Sequence, residues 1–317
     1  MLTTPSLNSF TVQYPQANVF TKTAMQVFWL PDEVSVEKDV QDLRVNLTEA
    51  ERHGVLTVLK LFTMYEQKVG AEFWMGKIIN WFPRHEIQEM ASYFGMTELA
   101  IHKRFYKRLN EELGLDNDEF YNAYLDDSDL TSRMDFISDI LDGDDKLLSL
   151  AVFSILEGAV LYSSFAFLKH FQAKGKNKLQ NVCAGIDFSV RDENIHSEAG
   201  AWLYRTYLEE NPTSGWMINN SVLEAARKIY EHEKAIIAKI FERGTIEGVT
   251  ATQLEHFVEH RINVCLQGLG MQSMFDVNYN PIGDWFYKNI NGYKSVDFFA
   301  RQGKEYSRNW NEKRFTW

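Results

Sequence analysis

Residues 147–168 read LLSLAVFSILEGAVLYSSFAFL, apolar on every side with a single charge, Glu157. A helix of that kind belongs in a bilayer or at the centre of a large soluble bundle. The bilayer fits poorly. No second segment of this type exists in the chain, and an isolated carboxylate at mid-membrane is expensive. The sequence therefore predicts a central bundle helix and no membrane span. It also poses a question, because a carboxylate in that core needs a partner.

Composition supports long helices. The chain has 317 residues, 45% of them hydrophobic, with Gly 18 and only Pro 6 to interrupt regular structure. Residues 1–45 show little periodicity and read as an irregular arm. Thr48 and Glu51 form a capping box that opens a helix to about residue 80. Further helices are expected near 85–112, 129–142, 147–174, 177–209 and 219–243. Thr252 and Glu255 predict a second capping box, opening a helix that ends at Gly268-Leu269-Gly270. The expectation is one all-α domain over 1–317. A net charge of −11 offers no basic face for nucleic acid. Cys183 and Cys265 sit in apolar helical patterns, which fits a reducing cytoplasm better than a disulfide framework. The N-terminus lacks the basic start and apolar run of a signal peptide.

Other polar residues interrupt apolar faces in an ordered way. Glu66 lies in LKLFTMYEQKVG, Glu98 and His102 in MTELAIHKRFY, Glu157 in FSILEGAVLY, and Glu193 and His196 in RDENIHSE. Each Glu–His pair is three or four residues apart and so shares a helix face. Four carboxylates and two imidazoles are a donor set for two divalent cations, and such sets from four facing helices mark dinuclear carboxylate bundles. Taken singly, Glu157 reads more readily as a salt-bridged or protonated core residue than as a ligand, and spacing like that of Glu193-Asn-Ile-His196 arises by chance on solvated faces. His256 with His260, and Glu231-His232-Glu233, read as exposed faces among charged neighbours.

These residues resemble the small subunit of class I ribonucleotide reductase along nearly the whole chain. Phe28-Trp29-Leu30-Pro31-Asp32-Glu33, followed by Asp39, is similar to that family's N-terminal FW-x-P-x-E element. Leu47-Thr48 with Glu51-Arg52, Glu157-Gly158 with Phe165, Arg191-Asp192-Glu193-Asn194-Ile195-His196, and Asn280-Pro281 with Trp285 resemble its further motifs. Asp297-Phe298-Phe299 and Tyr306 resemble the tail of one branch.

The resemblance implies a ferritin-like bundle with Glu66, Glu98, His102, Glu157, Glu193 and His196 as metal ligands. It implies a dinuclear centre, two manganese ions somewhat favoured over two irons or a mixed pair. It places Tyr106 at the radical tyrosine. Trp29 and Asp192 would start the electron path, Tyr306 would relay it, and the mobile tail (about 300–317) would dock on the large subunit through Phe315 to Trp317. A homodimer, activated by dioxygen or superoxide and passing a one-electron oxidant to the large subunit for ribonucleotide reduction, is the implied assembly. Two departures stand out. The family's first pair is usually Glu-x-x-His, whereas here Leu99 holds the expected Glu position, and a π-bulge would absorb the extra residue. The first ligand is Glu66 where many members carry Asp. Two alternatives share the ligands: a di-metal oxidase acting on a lipid or small molecule, and a ferritin-like storage protein. The oxidase would need no relay tail, and the storage protein leaves the arm, the Trp29 element and the tail unexplained.

Overall fold

Helix boundaries fall where capping residues put them. The computed structural model describes residues 1–212 and 218–287; Asp297, Phe298, Phe299, Tyr306 and the tail 300–317 lie outside the described residues. Thr48 and Glu51 cap each other's backbone at the start of α2 (49–81). After Pro83, α3 (85–113) ends on Gly114, whose φ of 73° suits a residue without Cβ. Asn117 caps α4 (Asp118–Asn122). Asp127 caps α5 (Ser128–Asp142) and Asp145 caps α6 (146–175). Then follow α7 (Gln180–Glu210), α8 (Ile218–Ile240), α9 (Ala251–Gly268) and a short α10 (281–287). No strand occurs among the described residues; Ile246 and Val249 make an isolated bridge.

Two expectations are corrected. The arm is not irregular throughout. Pro15 opens α1 (Pro15–Gln26), which buries Ala17, Phe20, Thr21 and Ala24 and packs on α3. That stripe follows helical spacing but is built mostly of small residues, so it is faint in a hydropathy pattern. The later capping box is Thr250 with Gln253, not Thr252 with Glu255. Thr250 has the extended backbone of a cap, whereas Thr252 already lies inside the first turn.

α2, α3, α6 and α7 supply the centre of the bundle, with α8 and α9 closing one side. The apolar run of α6 is buried there, apart from the half-buried Leu148. α7 starts on Leu179, in the left-handed region at φ 52°. The arm caps it from a distance: Asp42 accepts from the Leu179 backbone N–H at 2.9 Å and Asp39 from Val182 at 2.7 Å. The same arm carries Trp29, so capping α7 also fixes where that indole enters the core.

Gly158 sets how closely the inner helices approach. A Cβ there would run into Cys265 Sγ and Ser197 Oγ. Gly158→Val is expected to destabilise the fold by about 1–3 kcal/mol, as overpacked cores do, and thermal unfolding measures it.

Candidate metal centre

The four inner helices bring all six sequence-predicted ligands to one dry point. Glu66, Glu98, His102, Glu157, Glu193 and His196 are each 1% exposed or less. They form two overlapping nests, Glu66–Glu98–His102–Glu193 and Glu98–Glu157–Glu193–His196, in each of which donor atoms lie within 4.8 Å of one another. Glu98 and Glu193 belong to both nests, which suits carboxylates that bridge two cations. Glu66 and Glu157 belong to one nest each, and so do the two imidazoles.

Local helix geometry makes this possible. Thr97–His102 is π-helical, so the wider turn absorbs the extra residue between Glu98 and His102 and points both inward. π turns also occupy Lys68–Ile78, directly after Glu66, and Leu156–Val160, around Glu157. Gly70 lets the first of these approach α3: a Cβ there would sit 2.8 Å from the Glu98 Cβ.

The polar atoms meet in ways that hydrogen bonding does not satisfy. His102 Nε2 lies 3.0 Å from Asp192 Oδ2, which orients the ring. Its Nδ1 then faces carboxylate oxygens of Glu98 at 2.9 Å, Glu193 at 3.3 Å and Glu66 at 4.0 Å. His196 Nδ1 is 2.7 Å from Glu98 Oε1, yet neither atom has an aligned hydrogen bond. Both oxygens of Glu66 and of Glu193, and Glu157 Oε2, are likewise buried without a partner. Native interiors leave few such atoms. Lone pairs that converge but do not pair could hold cations, and four carboxylates would offset the charge of two divalent ions.

The electrostatics reflect the crowding. Burial, with the neighbouring charge of Glu98, pushes Glu66 well above the usual carboxylate range. Burial and Glu193 do the same to Glu157. Burial also opposes the charged form of Glu98, but His102 and His196 outweigh it and hold that carboxyl well below its ordinary value. Burial works against protonated His196, but Glu98 and Glu193 win and raise it to about 9.

Trp29, Asp192 and Tyr106 lie beside this point, and Tyr306 is outside the described residues. Trp29 Nε1 donates to Asp192 Oδ2 at 2.9 Å, so Asp192 joins the indole to His102. Tyr106 is buried and stacked on Phe62 at 4.2 Å between ring centroids; its hydroxyl reaches Ser189 Oγ at 3.4 Å. Burial, then Glu66, pushes its phenol well above 10.

A match to the family model described as ribonucleotide reductase, small chain, spans residues 6–281. The chain belongs to this family. The ribonucleotide reductase small chains similar to it include the ribonucleoside-diphosphate reductase beta subunit of Chlamydia pneumoniae, 26% identical over 88% of this chain and 83% of that protein. Among solved structures, the dimanganese(II)-NrdF of Streptococcus sanguinis superposes with a TM-score of 0.76 at 18% identity, over 88% of this chain and 98% of that one. The R2 subunit of Clostridium botulinum also gives 0.76, at 20% identity over 88% of each chain.

Sequence reasoning missed some groups around the small-chain centre. Trp74 donates its Nε1–H to Glu157 Oε1 at 2.7 Å. It lies eight residues after Glu66 on the same helix, where a tryptophan on an apolar face has to place its N–H. Glu233 is a correction. The Glu231-His232-Glu233 run is not simply an exposed face: Glu231 is exposed, but Glu233 is fully buried, 3.0 Å from Arg133 Nη1 and 2.5 Å from Ser163 Oγ. His256 and His260 are half-buried and outside both nests.

Proposed function

We propose that this ribonucleotide reductase small chain would hold two divalent ions through Glu66, Glu98, His102, Glu157, Glu193 and His196, with Glu98 and Glu193 available to both. The two nests sharing those carboxylates carry the reading. Two manganese ions are the favoured pair, on the family resemblance and on the manganese held by the S. sanguinis relative; oxygen and nitrogen donors accept two irons or a mixed pair as well. When bound and activated by dioxygen or superoxide, the pair supplies a one-electron oxidant.

The chain's own residues protect and direct that oxidant. Phe94 packs on His196, and Phe62 and Phe105 pack on Tyr106; all three are buried, an apolar shell that keeps water out. Asp192 holds His102 Nε2 and Trp29 Nε1 on one oxygen, a continuous polar contact from the centre to the arm. Tyr106, a neutral phenol in that shell, is the assigned radical store. Trp29 and Tyr306 are the assigned relay to the large subunit, where ribonucleoside diphosphates become deoxyribonucleotides. The tail 300–317 is the docking segment, its terminal aromatics serving as apolar anchors. The working unit is a cytoplasmic homodimer of this one-domain chain.

The test mixes metal-loaded protein with its large subunit and measures deoxyribonucleotide formation. Deleting 300–317 is expected to abolish that activity while two metals per chain remain. Equal activity without the tail would refute its docking role, and no deoxyribonucleotide formation by the intact metal-loaded chain would favour a di-metal oxidase that needs no partner.

A further inference from the structure

The π turn Leu156–Val160 places Glu157, and two buried arginines from outside the metal-binding helices reach its carbonyls. Arg261, on α9, donates from Nε to Gly158 O at 2.7 Å. Arg133, on α5, donates from Nη2 to Val160 O at 3.3 Å. Both side chains are about 5% exposed. A buried guanidinium is costly to desolvate, so two of them on one five-residue turn need a reason.

We propose that Arg133 and Arg261 clamp this π turn from two sides and act as positioning residues that fix Glu157 at one of the two cation positions. The proposal rests on the ligand assignment above. A π turn contains one residue more than the regular helix would use, and its hydrogen bonds leave the straight ladder. Relaxation to regular α-helix would shift the register by a residue, turning the Glu157 side chain by about 100° around the helix axis. Donors fixed on carbonyls inside the turn oppose that relaxation. Trp74 Nε1 holds the carboxylate itself, so backbone and side chain are secured separately.

The two arms differ in electrostatics. Arg133 has a carboxylate partner in Glu233, itself held by Ser163. The Arg261 guanidinium instead meets neutral groups: Asn194 Oδ1 at 3.1 Å, Tyr287 Oη at 3.2 Å and the Tyr162 ring face at 4.0 Å. Asn194 follows Glu193 in sequence and also accepts from Tyr162 Oη at 2.7 Å. Arg261 thus ties the backbone beside Glu157 to the residue beside Glu193. Glu157 belongs to one nest, and Asn194 beside the shared Glu193 keeps its bond from Tyr162 Oη without Arg261, so loss of the clamp falls chiefly on the Glu157 nest.

The experiment titrates manganese(II) into metal-depleted full-length protein and follows stoichiometry, affinity and the electron paramagnetic resonance spectrum. Arg261→Met removes one arm without orphaning a carboxylate. Arg133→Met/Glu233→Gln removes the other and keeps an acceptor for Ser163. In each, the second equivalent of manganese is expected to bind about 10–100-fold more weakly, as when outer groups around a metal are lost. The first equivalent binds as in the wild type, and the coupled-pair spectrum gives way to that of isolated manganese. Arg261→Lys, keeping one donor, restores part of the pair signal. A merely structural role would lower the melting temperature without separating the two equivalents. Wild-type binding of both equivalents with an unchanged spectrum in both variants overturns the clamp. Failure of the wild type itself to take up two ions overturns the ligand assignment, and the clamp with it.

Discussion

Glu193→Ala is expected to empty both metal positions at once. Glu193 is in both nests, so its removal takes a donor from each and leaves three. It also lies 3.3 Å from His102 Nδ1 and 3.6 Å from His196 Nδ1, so each imidazole loses one neighbouring anion and keeps only Glu98 on its Nδ1 side. Outer groups around metals contribute about 10–100-fold in affinity, and a bridging ligand should contribute more than that at each position. Manganese content should fall from two ions per chain to well below one, against retention in a His260→Ala control. Stability supplies a second readout. A ligand that binds only the folded state stabilises it by about 2.7 kcal/mol at a hundred times its dissociation constant. Wild-type protein should therefore melt higher with manganese than without, and Glu193→Ala should not. Two tightly held ions in the variant would refute the shared-carboxylate arrangement.

The six residues that meet at the centre were legible because each breaks an apolar face on a long helix, and core helices carry a carboxylate only with a reason. The π turns were not legible as such. The Glu98–His102 spacing pointed to one, but nothing in local composition distinguishes the turns after Glu66 and around Glu157 from regular helix. Buried charges outside the centre were missed for a different reason. Glu233 sits among charged neighbours, which suggested solvent. Yet Ile229, Glu233, Ile236, Ile237 and Ile240 share one buried face, and the helical period put Glu233 on it. Arg133 lies likewise on the Leu130, Ile137, Leu141 face, and Arg261 on the Leu254, Val258, Cys265 face. Position on the apolar stripe was the better guide than local composition. The partners themselves could not be read, since Arg133, Ser163 and Glu233 come from three helices far apart in sequence.

That buried triad carries the second large effect. Glu233→Ala is expected to destabilise the protein by about 3–5 kcal/mol at pH 8, since it strands the Arg133 guanidinium in the core. Replacing both partners, Arg133→Met/Glu233→Met, should be far milder, because no charge is then left unpaired. Urea unfolding of the three proteins separates the cases, and equal losses in the single and double variants would contradict the ion pair. The pH dependence has a definite sign. Burial raises the Glu233 carboxyl from its ordinary 4.5 to about 7, with Arg133 and Ser163 working against the rise. Between these values the folded state keeps a proton that the unfolded chain has lost. The folded state then binds more protons, so this group's contribution to stability falls as pH rises through that window. Glu233→Gln titrates in neither state and removes the slope. Its stability relative to wild type should therefore improve from pH 5 to pH 8, and an improvement in the opposite direction would mean that Arg133, not burial, controls the carboxylate.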